Sequence, residues 1–89
     1  MPYVLVTHEV ENYSRWRPIF DNHAPVRGQF GCLSTQIFRD ADNPNAITML
    51  MEWDSLENAD RFLNESNLRE IMEEAGVISQ PSVSFLNET

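Results

Sequence analysis

The sequence predicts an α+β fold in which six elements follow one another in the order β-α-β-β-α-β. Runs of β-branched and aromatic residues, typical of strands, occupy 3–10, 32–39, 46–53 and 83–86. Apolar residues recur at helical spacing in the stretch after the first run and in the stretch before the last. At 89 residues, without repeats or linkers, 1–89 is expected to form a single domain.

A helix is expected over 12–28, directly after the first strand. Asn12 is a candidate N-cap because its short side chain can accept a hydrogen bond from the exposed amides of the first turn. Gly28 and Gly31 are expected to mark the end of this helix.

Two prolines interrupt the pattern of that helix. An interior proline removes a backbone hydrogen bond and clashes with the preceding turn, at a cost of roughly 3 kcal/mol. A kink or a restart is therefore expected near Pro18, and Pro25 is expected in a loosened last turn.

The middle strands are predicted to form a hairpin, because the turn-forming stretch 40–45 separates them. Residues 54–57 are typical of a capping box that joins Asp54 to Glu57 at the start of the next helix. Ser66 is a candidate cap for a second helical segment, and Gly76 is expected to end that segment before the last strand.

This order of elements is the split βαβ, or ferredoxin-like, arrangement, with both helical regions on one face of an antiparallel four-stranded sheet. Apolar side chains occur at both parities of the strands: Val4 and Val6 alternate with Leu5, and Met49 alternates with Leu50. A sheet that is apolar on both faces needs a cover on both. A second copy of the chain is the simplest cover, so a homodimer is expected.

Composition and charge limit the classes of partner that the protein is expected to bind. The net charge is −8, and all six basic residues are arginines. An acidic surface repels phosphate groups, so nucleic acid and anionic membrane are not expected as partners. No apolar run approaches the ~20 residues of a membrane span, and the first residues lack the basic and apolar segments of a signal peptide. A cytoplasmic location is the expectation.

An aromatic stripe marks the first helix. At about 100° per residue its members fall within an arc of roughly 80°: they are Tyr13, Trp16, Phe20, His23 and Arg27. An apolar surface that ends in a few ionisable groups is the make-up of a small-molecule pocket.

His23 and Arg27 are the candidate catalytic residues. An imidazole with a pKa near neutrality can accept or donate a proton, and a guanidinium can hold an enolate, carboxylate or phenolate oxygen. The structural alternatives are that His23 caps the helix end and that Arg27 pairs with a surface acid.

The candidate substrate-binding residues are aromatic: Tyr13, Trp16, Phe20 and Trp53. Their rings are suited to stacking on a planar ligand, and core packing is the alternative for all of them. Ligand roles for His8 and Glu52 are weaker hypotheses.

No metal or organic cofactor is predicted. Cys32 is the single cysteine, and the two histidines lie far apart without acids at ligand spacing. Glycine-rich phosphate loops and serine-hydrolase motifs are absent from the sequence.

Three stretches of the chain resemble the dimeric α+β barrel superfamily: Glu-Asn-Tyr-Ser-Arg-Trp at 11–16, Phe-Asp-Asn-His-Ala-Pro-Val-Arg at 20–27, and Leu-Met-Glu-Trp-Asp-Ser-Leu-Glu at 50–57. The superfamily includes cofactor-free monooxygenases of antibiotic biosynthesis, haem-degrading monooxygenases, isomerases, polyketide cyclases and stress-responsive proteins. The resemblance is to small members near the antibiotic-biosynthesis monooxygenase and cyclase group. It implies a homodimer with a cleft between helices and sheet in each subunit.

Two functions follow from the stripe and the resemblance together. The first is a cofactor-free enzyme that oxygenates, cyclises or isomerises a planar enolisable or phenolic compound. His23 would move the proton, Arg27 would steady the oxyanion, and the aromatic residues would stack on the substrate. The alternative is a non-catalytic, stress-related or ligand-binding dimer in which the aromatic stripe is core. An open cleft with His23 and Arg27 together favours the first.

Overall fold

Four strands and four helices make up the fold in this computed structural model, which describes residues 1–65 and 67–89. In chain order they are β1 (Pro2–Glu9), α1 (Tyr13–Asn22), α2 (Ala24–Phe30), β2 (Cys32–Arg39), β3 (Ala46–Trp53), α3 (Leu56–Glu65), α4 (Leu68–Glu74) and β4 (Ser82–Asn87). The proposed cap at Ser66 lies outside the described residues.

The strands form one antiparallel sheet in the order β2-β3-β1-β4. β1 occupies an inner position, where Val4 pairs with Met51 on one side and with Phe85 on the other. This arrangement confirms the predicted α+β, ferredoxin-like fold with an antiparallel four-stranded sheet.

The core lies between the sheet and the helices. Alternate residues of β1 and β3 face the helices and are buried, while the residues between them are more exposed. The buried apolar residues are Val4, Val6, Val10, Trp16, Ile47, Met49, Met51, Trp53, Ala59, Phe62 and Ala75. Because successive strand side chains alternate between faces, this burial pattern fixes which residues can reach the helices.

The first helical region is divided at His23, and the expected restart near Pro18 is wrong. α1 runs through Pro18 and ends at Asn22. Pro25 begins α2, where it occupies one of the first two positions. A proline there costs no hydrogen bond, because the first amides of a helix have no intrahelical partner. The expected cap at Asn12 is confirmed, because its side chain accepts a hydrogen bond from Ser14 N at 2.8 Å.

Gly31 ends α2, whereas Gly28 lies inside that helix. Gly31 has φ +111°, a left-handed conformation that strains residues with a Cβ atom. Gly76 has φ +83° and follows α4, which confirms the expected end of that segment. The sequence distinguishes poorly between Gly28 and Gly31, because an interior glycine is tolerated in a helix.

The capping interaction of α3 is shifted by one residue from the predicted box. Ser55 Oγ accepts a hydrogen bond from Asn58 N at 3.1 Å, and Asp54 Oδ1 accepts one from Asn58 Nδ2 at 2.9 Å. Because α3 begins at Leu56, Ser55 takes the N-cap position and Asn58 the third helical position. The predicted pairing of Asp54 with Glu57 is therefore wrong.

The face of the sheet turned away from the helices is bare in the single chain. Leu5 lies opposite Leu50 near its centre, and Phe38 and Leu86 are 52% and 40% exposed on the flanking strands. Tyr3 lies opposite Leu86 at one end of the same face. Among the described helices, none combines the length and apolar character needed to cross a membrane.

Candidate functional site

A cavity of about 390 Å³ lies between the helices and the sheet. Its sheet side is formed by Val6, His8, Met49, Met51, Val83 and Phe85. Its helix side includes residues from all four helices, most of them apolar. A concave, largely apolar cavity of this size with a few polar groups is typical of a small-molecule site.

Four residues of the predicted stripe come together on the wall of this cavity: Trp16, Phe20, His23 and Arg27. They share one side although α1 and α2 are separate helices. His23 N donates to Phe20 O and Arg27 N donates to His23 O, each at 3.2 Å, so hydrogen bonding of helical type continues through the break. The angular relation calculated for one helix is therefore largely kept.

Tyr13 is the member of the stripe that lies outside the cavity lining. Its ring is covered by Arg39, whose Cζ lies 4.0 Å from the ring centroid. Its hydroxyl accepts a hydrogen bond from Arg17 Nη1 at 2.9 Å. These two arginines hold Tyr13 at the outer end of α1, away from the substrate-binding position expected for it.

Trp53 also lies outside the cavity lining. It is among the most deeply buried side chains, and its ring centroid is 5.3 Å from that of Phe62. Phe62 lines the cavity, and Trp53 packs behind it. The position of Trp53 corresponds to the core alternative left open by the sequence.

His23 is half-buried on the cavity wall, with its ring centroid 5.8 Å from that of Phe62. Its side chain makes no capping hydrogen bond to α2, although its backbone occupies the cap position. Burial lowers the pKa of His23, and the positive charge of Arg27 lowers it further. The imidazole is therefore neutral at neutral pH and able to accept a proton.

Arg27 is a buried cation on the same wall, with 7% of its surface exposed. Nη1 donates to Phe20 O at 2.8 Å, and Cζ lies 3.8 Å from the centroid of the Phe20 ring. Burial lowers the pKa of Arg27, and the nearby side chains of Cys32 and Asp21 partly offset this. Within 1–65 and 67–89 no carboxylate forms an ion pair with it. The surface pairing considered from the sequence is thus absent from these residues.

His8 is a polar residue to which the sequence assigned only a weak ligand role. It is 5% exposed, lines the cavity from β1, and makes an edge contact with Trp16 at a centroid distance of 5.7 Å. Burial lowers its pKa, and its own backbone partly offsets this. His8 lies on the same side of β1 as Val4 and Val6, and this alternation was the sequence signal that it faces the helices.

Three further polar residues on the lining were missed by the sequence analysis: Asp60, Asn64 and Gln80. Asn64 Nδ2 donates to the backbone oxygen of Asp60 at 2.8 Å and to its Oδ1 at 3.1 Å. Their four-residue spacing places Asp60 and Asn64 on one side of α3. That spacing was the available signal, but a solvated helix face has the same pattern.

The model of the antibiotic biosynthesis monooxygenase family matches residues 5–74 of the chain. The chain belongs to this family. A comparison with curated proteins finds no match.

Solved structures with the same fold include members of the antibiotic biosynthesis monooxygenase family. One, an antibiotic biosynthesis monooxygenase, has a TM-score of 0.75 and 15% identity, with 100% of this chain and 99% of that chain covered. A conserved protein from Methanosarcina mazei Go1 has a TM-score of 0.77 and 16% identity over 99% and 92%. SnoaB, a cofactor-independent oxygenase from Streptomyces nogalater, has a TM-score of 0.74 and 14% identity over 99% and 94%. At these identities the likeness concerns the fold.

In this member of the antibiotic biosynthesis monooxygenase family, the cavity combines a proton acceptor, a cation and aromatic walls. His23 is suited to take a proton from a bound compound, and Arg27 is suited to hold the resulting oxyanion. Among the described residues, no group of three or more histidine, cysteine or acidic side chains is placed to hold a metal ion. The chemistry that this chain's own residues offer is proton transfer and anion stabilisation.

Proposed function

We propose that this protein is a cofactor-independent monooxygenase that acts on a planar enolisable or phenolic compound. The observation that carries the proposal is the pairing of a neutral His23 with a buried Arg27 on the wall of one cavity. Membership of the antibiotic biosynthesis monooxygenase family supports it. The description of the structural neighbour SnoaB as a cofactor-independent oxygenase also supports it.

Arg27 favours an anionic ligand. Removing a cation from water is unfavourable unless an opposite charge or several hydrogen bonds replace the water. The described residues supply one hydrogen-bond acceptor, Phe20 O, and one ring face. The remaining N–H donors of the guanidinium suit an enolate, phenolate or carboxylate oxygen.

The aromatic wall favours a planar ligand. Trp16 and Phe20 are stacked with centroids 4.8 Å apart and an angle of 25° between their planes. Phe62, on α3, also lines the cavity, with its ring centroid 5.8 Å from that of His23. Aromatic side chains that line a cavity bind an aromatic ligand by contacts between the rings and by burying its apolar area.

The proposed reaction uses molecular oxygen and a substrate with an activated CH2 group. His23 accepts a proton from that carbon, and Arg27 stabilises the enolate oxygen. The carbanion transfers electrons to molecular oxygen, and a C–O bond forms to give a peroxide. His23 then returns its proton to the peroxide. Loss of water then breaks the O–O bond and leaves a carbonyl group. One oxygen atom thus enters the product and the other becomes water, so the substrate supplies all the electrons.

The test is oxygen uptake with anthrone as the probe, because anthrone has such a CH2 group and oxidises to a quinone. We expect the protein to consume one oxygen molecule per quinone formed, with one labelled atom incorporated from oxygen-18 gas. His23→Ala should lower kcat by roughly a hundredfold, the usual contribution of a positioned general base. Asn22→Ala is the matched control, since Asn22 is exposed and adjacent but lies outside the cavity lining.

Turnover by His23→Ala at the wild-type rate would contradict the assignment of His23 as the base. Binding of anthrone without oxygen uptake would instead favour the non-catalytic, ligand-binding protein. A solution without protein corrects for the spontaneous oxidation of anthrone.

We also propose that the protein works as a homodimer joined through the bare face of the sheet. The support is the exposed apolar surface around Leu5, Leu50 and Leu86 on a strand arrangement that the helices cover from one side only. Burying that surface against a second copy removes apolar area from water at about 25 cal/mol per Å². A closed two-fold dimer also covers the same patch on both subunits.

A further inference from the structure

We propose that His8 contacts the ligand at the sheet end of the cavity, and that the ligand therefore carries two separated oxygen functions. One is an anionic oxygen held by Arg27, and the other is a hydroxyl group hydrogen-bonded to His8. The inference rests on the small-molecule function proposed above, and it names the class of compound that the cavity selects.

His8 stands out among the sheet residues of the cavity. Of the six that line it within the described parts of the chain, His8 is the one with a polar side chain; its neighbours there include Val6 and Met49. Its cross-strand partner Ile47 is fully buried. An apolar residue would pack at this position without removing a polar ring from water.

Apart from the backbone of His8 itself, which slightly raises its pKa, the described residues offer the ring nitrogens of His8 no hydrogen-bond partner. Nδ1 is completely enclosed and unpaired. Nε2 makes no hydrogen bond to the described residues either, but it is not fully enclosed, so it is the nitrogen that a ligand in the cavity can reach. Buried polar groups are nearly always hydrogen-bonded, which makes an unpaired imidazole on a cavity wall a binding group without its partner.

A hydroxyl group fits Nε2 whichever nitrogen carries the proton. A neutral imidazole has one N–H donor and one acceptor nitrogen, and the tautomer follows from the hydrogen bonds available. A hydroxyl both donates and accepts, so it can pair with Nε2 in either tautomer. An ammonium group can only donate, and a carboxylate can only accept.

The two polar ends of the cavity are joined by a row of rings. The His8 ring meets the edge of Trp16, Trp16 stacks on Phe20, and Phe20 lies beneath the guanidinium of Arg27. Each step in the row is shorter than 6 Å between the ring centroids or from Cζ to the centroid. A flat ligand about two fused rings long, lying along Trp16 and Phe20, would reach His8 with one end and Arg27 with the other.

The test uses two probes that differ in a single group: a naphthoic acid, and the hydroxynaphthoic acid that has the hydroxyl on the ring opposite the carboxylate. Calorimetry gives the Kd of each for wild type and for His8→Phe, which keeps a ring against Trp16. We expect wild type to bind the hydroxylated acid about tenfold more tightly, equivalent to about 1.4 kcal/mol. His8→Phe should bind both acids with equal affinity.

Trp53→Phe is the matched control for this experiment. It removes another enclosed and unpaired ring nitrogen, one that lies outside the cavity lining. The tenfold preference should survive in this variant.

A preference that survives in His8→Phe, or equal affinities in wild type, would overturn the role of His8 while leaving a small-molecule cavity in place. Failure of wild type to bind either acid would count against both the proposed function and this inference. If His8→Phe does not fold, nitrogen NMR of the wild-type protein tests whether the His8 ring binds the hydroxyl group. The His8 ring nitrogen signals should shift with the hydroxylated acid and stay in place with the unsubstituted one; equal responses would overturn the proposal.

Discussion

Arg27 Nη1 donates a hydrogen bond to the backbone oxygen of Phe20, and the same guanidinium lies over the Phe20 ring, with Cζ 3.8 Å from the ring centroid. The contact joins α2 back to the end of α1 across the break at His23. It gives the Phe20 carbonyl oxygen a second donor besides His23 N, and it also fixes the position of the guanidinium in the cavity wall. One side chain therefore contributes to both the fold and the proposed site.

Replacing Arg27 by lysine should destabilise the protein. An ammonium group cannot stack as a plane on Phe20 while donating to its carbonyl oxygen, and loss of that hydrogen bond should lower the free energy of unfolding by roughly 1–2 kcal/mol. Urea denaturation measures the difference. Arg69→Lys is the control, because the Arg69 side chain is 92% exposed and should change stability by less than about 0.5 kcal/mol. Equal stability of Arg27→Lys and wild type would contradict a structural role for the guanidinium.

Alanine at the two glycines of α2 and its C-cap should have opposite effects. At Gly31 a Cβ atom would collide with the Asp54 carboxylate in a left-handed conformation, so Gly31→Ala should cost roughly 1–3 kcal/mol. At Gly28 nothing lies within 4 Å of the added atom, and Gly28→Ala should stabilise the helix by about 0.5–1 kcal/mol. Thermal denaturation of the pair measures both effects. Equal changes in Tm would show that the cap conformation is unimportant.

Stability should fall as the pH drops below about 6.5, the ordinary pKa of histidine. The pKa values of His8 and His23 are lower in the folded protein, mainly because burial disfavours the charged imidazolium. The unfolded chain therefore binds protons more readily, and protonation favours unfolding. Urea denaturation between about pH 7.5 and 5.5 measures the fall, and His8→Gln should reduce it. A wild-type free energy of unfolding that stays constant over this interval would contradict the burial of neutral histidines.

The wild-type protein should have a solution mass of twice the 10.3 kDa of one chain. Leu50→Glu should convert it to a monomer, because the substitution places a charge at the centre of the bare sheet face, opposite Leu5. Light scattering after gel filtration measures the mass. Gln29→Glu adds the same charge at an exposed position on α2 and should leave the dimer intact. A monomeric wild type would refute the proposed homodimer.

The strands were the best predicted part of the fold. The limits expected for 32–39 and 46–53 agree with β2 and β3, because alternating β-branched and aromatic residues between turn signals are a local property of the sequence. The positions of Gly31 and Gly76 after helices were likewise readable from local conformational preference. The break in the first helical region was predicted near Pro18, but it lies at His23. Both prolines look alike in the sequence, and only the structure shows that Pro25 lies at the start of a helix whereas Pro18 lies inside one.

The sequence by itself determined the order of elements and four members of the aromatic stripe. Their spacing carries this information, because backbone geometry converts separation along the chain into direction. Tertiary structure decided which of these residues reach a ligand. It placed Arg17 and Arg39 against Tyr13, packed Trp53 behind Phe62, and brought His8 of β1 against Trp16 of α1 on the cavity wall. Contacts between distant segments depend on how side chains fill the space between helices and sheet, and no local pattern records that packing.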